Sequence, residues 1–248
     1  MTIHQPANLI LSHKDVARGA RYATADNLGL IQVPASTDTW FPVPYTKLVA
    51  VAKEILGNSL PGDYELVDEG FVLSQHDQQL FGALTYKSAE FNLPFAVGLR
   101  SSYNQTLSAG ICMGGRVTVC SNLMFSGLLR VLRKQTKNVL TDLKDLLFAT
   151  VKQASGEHRQ LIADAGTLFK ARCSDKVAFE IMGVAWGNGL IGDRQLPVVK
   201  QEWLTPSFEE FSRRNQWSLY NAFTHALKTT HPSGMMERLI ALHRLFMD

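Results

Sequence analysis

Arg130, Arg133, Lys134, Lys137 and Lys144 crowd into one short stretch of the chain, and guanidinium and ammonium groups at that density are what phosphate oxygens bind. Set on a helix, at about 100° per residue, the five fall within one arc, opposite Leu128, Leu132, Val139, Leu143, Leu146 and Thr150. The spacing predicts an amphipathic helix with a cationic flank. Asp142 and Asp145 lie beside that flank, and pairing with Lys144 or Lys137 would make its field weaker than the cation count suggests. Two readings stand side by side: a plain solvated face, where charged residues belong in any case, and a surface that tracks phosphates. Arg100 and Arg116, on the strands ahead of the helix, would extend the second, with Tyr103 as a ring on which a base stacks.

Other chemistry is thinner. Cys120 falls where a strand would meet a helix N-terminus, and the helix dipole at such a point lowers a thiol pKa. No histidine stands near it in the sequence to act as a base. A small buried cysteine beside the capping candidates Ser121 and Asn122 is the simpler account. His4, His13, His225, His231 and His243 are scattered without an HxxxH or HExxH pattern, and Cys112, Cys120 and Cys173 form no CxxC pair. Asp63, Asp68, Glu69 and Asp77 read as solvated turn carboxylates. Gly114-Gly115 is followed by no Gly-Lys-Ser/Thr, so no nucleotide-binding loop is expected. No catalytic residue, metal site or cofactor is expected either, and an enzyme ranks third among the function classes.

These residues need a frame. YELV from Tyr64, FVLSQ from Phe71 and QLFGALTYKS from Gln79 read as successive antiparallel strands, and Phe95 to Arg100 and Thr106 to Met113 as two more. In the last of these Leu107, Ala109, Ile111 and Met113 share a face and small or polar residues the other, which is the pattern of a half-buried strand. Ser101 to Gln105 supplies a polar turn. Gly114-Gly115 suits a tight hairpin before a strand from Arg116 to Cys120, and Ser121 or Asn122 then caps one long helix to about Val151. The strands are spaced too tightly for crossover helices, so the sheet is mainly antiparallel and the class is α+β: a meander, a long amphipathic helix, then a helical C-terminal half.

Around this core, residues 1–44 read as an extended arm with short strands, punctuated by Pro34, Pro42 and Pro44. Tyr45 to Leu56 reads as a short amphipathic helix stopped at Gly57-Asn58. After a break at Ala154 to Gly156, helices are expected at Glu157 to Arg172, Asp175 to Trp186, Trp217 to Leu227 and Met235 to Phe246. Gly187 to Pro206 reads as a loop, and Ser207 with Glu210 as a capping box. The organisation is an arm and short helix over 1–60, sheet plus long helix over 61–152, and a helical region over 153–248 packed on the same domain. With 248 residues, 46% of them hydrophobic, the chain can bury a large core. A net charge of +3 permits a polyanion partner without requiring one. No apolar run has the length of a membrane span and the N-terminus lacks an export pattern, so the expected compartment is the cytoplasm.

The string VTVCSNLMFSG at 117–127, with Arg116 ahead of it, resembles the central motif of a phage/plasmid-like family known as a domain of unknown function, on Arg116, Val117, Cys120, Ser121 and Asn122. NQWSLYNAFTHALK at 215–228 is similar to the second motif of that family, on Trp217, Asn221, Ala222 and Thr224. The resemblance covers about residues 60–248; Leu123 stands where the family more often has Thr, and the arm before Pro44 has no counterpart. The resemblance implies a mobile-element origin in a bacterial host cell, whose cytoplasm is then the expected compartment, and no settled activity. Within the second motif Trp217, Asn221 and Thr224 share a helical face, with Trp217 expected in the core and Asn221 on a buried backbone group. The strand-strand-strand-helix order is also similar to that of phage single-strand annealing proteins, an analogy of topology. The expected function is nucleic-acid binding, as a single-stranded DNA annealing or recombination accessory that assembles as a homo-oligomer. The alternative is a protein-binding effector that modulates a host defence or replication factor. No membrane partner is expected.

Overall fold

The computed structural model describes residue 16 and residues 19–89, 92–117, 122–127 and 129–247. Cys120, Ser121, Leu128, His4 and His13 lie outside the described residues. A short strand, Arg21–Ala23 (β1), precedes a one-turn helix Ala25–Gly29 (α1), whose N-cap Thr24 accepts from the Asn27 N–H while the Asn27 side chain accepts from the Thr24 N–H. Helix Tyr45–Ser59 (α2) buries Tyr45, Leu48, Val49, Ala52, Ile55 and Leu56, the helical spacing read from the sequence. It runs past Gly57-Asn58 and ends ahead of Pro61, whose ring has no N–H to continue it.

The sheet is antiparallel and has seven strands among the described residues. Tyr64–Ser74 (β2), Gln79–Ser88 (β3), Phe95–Ser102 (β4) and Ala109–Arg116 (β5) form the meander. The outer edge of β5 is covered by two short pieces, Leu123–Met124 (β6) and Arg130–Arg133 (β7). The fold is α+β, an antiparallel sheet followed by helices. β2 is one strand with a register shift between Leu66 and Asp68, not two strands parted at Glu69-Gly70. Its turn to β3 carries Gln75, His76 and Asp77 at positive φ, and Arg21 clamps Asp77 there through Nε and Nη2, both at 2.9 Å.

Both faces of this sheet are buried, which departs from the half-buried expectation. Leu80, Leu84, Phe95, Val97, Leu99, Ile111 and Met113 pack on one side against α2 and a helix Val139–Val151 (α3). On the other side the strands present smaller groups, among them Ala96, Gly98, Cys112 and Gly114, and the bulk comes from Phe125 and the C-terminal helices. Gly114 therefore does not turn a hairpin. It lies within β5, where a Cβ would collide with Met124 O and the Phe125 ring.

The long helix expected from Ser121 or Asn122 onward is not formed. Gly127 adopts φ +82 and ends any helical run there, the next described residues form β7, and α3 begins only at Val139. Beyond it come Ala154–Lys170 (α4), Asp175–Gly187 (α5), Leu196–Leu204 (α6), a 3-10 turn at Glu209–Phe211, Gln216–Leu227 (α7) and Pro232–Met247 (α8). Ser174 and Asn215 cap α5 and α7 by accepting from the N–H three residues on. The Ser207–Glu210 capping box is absent: the Ser207 N–H and Oγ both donate to Glu202 instead. Helix α6 replaces the expected loop, burying Val199 and Trp203.

Candidate nucleic-acid interface

With β7 in place of a helix, the cationic flank comes apart. Arg130 is level with Cys112 across the ladder and Arg133 with Ala109, so the two side chains leave opposite faces of the sheet. Lys134 and Lys137 stand in the connection to α3, and Lys144 on α3 faces Glu54 of α2 at 3.7 Å. Arg100 is not a surface cation at all: it is 7% exposed, on the side of the sheet covered by α8, and ion-paired with Glu237. Arg116 Nη1 donates to Asp68 Oδ2 and Thr85 Oγ1, so its charge is neutralised within the sheet. Tyr103 is buried and stacked on Tyr45 with ring centroids 4.0 Å apart; its hydroxyl accepts from the Tyr45 N–H. No base can reach it. Asp68, Glu69 and Asp77 are likewise paired, with Arg116, Lys53 and Arg21.

Arg130, Arg133, Lys134 and Lys137 remain exposed, and none of them takes part in an ion pair among the described residues. The sequence explains this: from Phe91 to Thr141 it contains no Asp or Glu. Met113 N–H donates to Leu129 O at 2.9 Å, which sets the alternation of the ladder and turns the main-chain groups of Arg130 and Leu132 away from β5. Arg133 Nη1 bonds the outward Leu132 carbonyl at 2.9 Å.

Beside Lys134 lies a cleft of about 290 Å³, walled by Trp40, Thr106, Ser108, Gln135 and Thr136. Gln135 builds it. This side chain, in a residue 5% exposed, accepts from Val43 N–H and donates to Ser102 O, both at 2.7 Å, and the Gln135 main-chain carbonyl accepts from Phe41 N–H at 2.7 Å. Three segments distant in sequence are tied together, leaving Lys134 and Thr136 exposed on either side of it. Trp40 sits in a turn closed by Thr37 N–H to Trp40 O at 2.8 Å and Trp40 N–H to Thr37 Oγ1 at 3.1 Å. Its indole Nε1 is covered and has no hydrogen-bond partner, so what it shows the cleft is ring carbon. Sequence reasoning missed Trp40, Gln135 and Thr136. The available sign was a tryptophan among Thr, Asp and Pro residues, in a stretch with no period of its own.

A larger concavity of about 740 Å³ opens at the opposite end of the sheet around Thr85, Lys87, Asn92 and Arg116, where Asp68 already neutralises the guanidinium. The motif residues Asn122, Asn221 and Thr224 are buried between the sheet and α7, and Trp217, half-buried, stacks on Tyr220 with centroids 5.8 Å apart. Burial pushes the Cys112 thiol up to about 12 and raises that of Cys173 as well. Among the described residues no group of His, Cys, Asp and Glu is placed to hold a metal ion, and no helix is long and apolar enough to cross a membrane. No protein-family model, curated protein or solved structure matches the chain.

Proposed function

We propose that the chain binds nucleic acid, with Arg130, Arg133, Lys134 and Lys137 as its phosphate contacts. The observation that carries this reading is the set of four exposed cations along one sheet edge and its following loop, with no carboxylate among the described residues paired to any of them. Unpaired cations in that number attract a polyanion and release its counterions on contact, so log K falls with log salt by about 0.7 per phosphate for a single strand. Binding of a labelled oligonucleotide, titrated at several salt concentrations, tests it. Affinity should fall steeply with salt, and replacing all four cations by Ala should flatten the slope. A folded wild-type chain with no salt-dependent binding overturns the reading.

A second reading, a protein-binding effector, is favoured by α5. It leaves Val177, Phe179, Val184 and Trp186 between 38% and 51% exposed, Val177 with Val184 along one flank and Phe179 with Trp186 along another, and exposed apolar groups of that size mark contact surfaces for another protein. Pull-down from a host lysate that survives the four-Ala variant and fails on Val184→Ser with Trp186→Ser favours this reading over the first.

A further inference from the structure

We propose that the cleft beside Trp40 receives one unpaired nucleobase, so that the strand lying on the four cations is single-stranded. This rests on the nucleic-acid reading and adds what cations alone cannot supply, a contact to the bases. Lys134 belongs to both features: it is one of the four exposed cations and it lines the cleft, so a phosphate held by its ammonium leaves the adjoining base within reach of Trp40. The indole offers ring carbon, and every base has a π-face, so the contact tolerates any sequence. Ser108 and Thr136 also line the cleft and carry hydroxyls that a base edge can use, whereas the Thr106 hydroxyl is already held between Gln79 Nε2 and Asn104 Oδ1. Paired bases stay stacked inside a duplex and cannot enter a cleft of about 290 Å³. Asp38, in the turn that carries Trp40, repels a backbone phosphate, so the strand approaches from the Lys134 side.

The full chain is titrated with three labelled probes of one length: a thymidine oligonucleotide, an abasic strand and a blunt duplex. The oligonucleotide should bind about tenfold more tightly than the abasic strand, the scale of one base stacked on an aromatic ring. Trp40→Ala should bring it down to the abasic level with an unchanged salt slope, and Lys134→Ala should lower the slope. Thr136→Leu crowds the cleft from an exposed position without adding a stacking ring and should act like Trp40→Ala, so the test survives a Trp40 variant that fails to fold. Equal binding of the thymidine and abasic strands by the wild type overturns the cleft while leaving the cations their role, as does a difference that persists in both cleft variants. Loss of salt-dependent binding to all three probes overturns the underlying reading instead.

Discussion

Asn122 Nδ2 donates to Asn221 Oδ1 at 3.0 Å and to the Asn221 carbonyl at 3.3 Å, a contact between two residues that are each 2% exposed and 99 apart in sequence. Asn221 Nδ2 passes the chain of bonds on to Trp217 O at 2.9 Å, and Thr224 Oγ1 donates to Asn221 O at 3.0 Å. Asn122 thus lies against Asn221, pinning the end of the sheet to α7. Removing either amide leaves a buried donor or acceptor unmet, so Asn221→Ala and Asn122→Ala should each cost about 1–3 kcal/mol in urea unfolding. The pair should also be coupled. A double variant whose loss equals the sum of the singles, within about 0.5 kcal/mol, argues against the pin.

The Cys112 thiol gives the fold an alkaline limit. Burial lifts it from its ordinary 9.0 to about 12, with Arg130 opposing, and burial lifts Tyr86 from 10.0 to about 12. Both groups are neutral in the folded chain and ionise more readily once unfolded, so their contribution is full below pH 9 and is lost as pH rises towards 12. The urea midpoint should fall over that window, and Cys112→Ala should make the fall shallower. Alkylation at neutral pH should label Cys112 only after denaturation; fast labelling of the native chain removes the argument.

The α+β class, α2, α7 and α8 were legible because their apolar residues keep one period throughout. Leu128 to Arg133 keeps two. Leu129 and Val131 alternate as in a strand, while Leu128 and Leu132 step as in a helix, and what decides between them is the unpaired edge of β5, which no local pattern displays. The second buried face of the sheet was hidden for a related reason. Its small groups Ala96, Gly98 and Gly114 look like the outer side of a half-exposed strand until Phe125 fills the space above them. Arg100 and Tyr103 were misplaced because their partners, Glu237 and Tyr45, are remote in sequence, and the bond from Gln135 to Val43 spans 92 positions.

Arg133 guards the outer edge of β7 whatever else it binds. Its guanidinium occupies the outward Leu132 carbonyl, and the charge of Arg130 beside it repels a second copy of the same strand. Arg130→Val with Arg133→Val should therefore yield concentration-dependent dimers or aggregates in sedimentation velocity, whereas Lys134→Ala with Lys137→Ala should not. If both double variants sediment as the wild type does, edge protection is not their task.

Gln135 is where the cleft and the fold depend on one side chain. Gln135→Ala removes the acceptor of the Val43 N–H and the donor to Ser102 O in a buried place, so it should cost about 1–3 kcal/mol and loosen the positions of Lys134 and Thr136. Gln135→Glu separates the two bonds. A carboxylate still accepts from Val43 N–H, but its second oxygen then faces the Ser102 carbonyl with no proton between them. Protonated, the same side chain donates to Ser102 O as the amide does. The buried carboxyl of the variant should therefore titrate above its unfolded value of about 4.3, which makes its stability full below that pH and lost as pH rises through the folded value. Urea midpoints between pH 4 and 7 should show Gln135→Glu approaching the wild type at the acid end and falling behind it at neutrality. A constant gap across that range would mean that the donation to Ser102 O does not hold the loop.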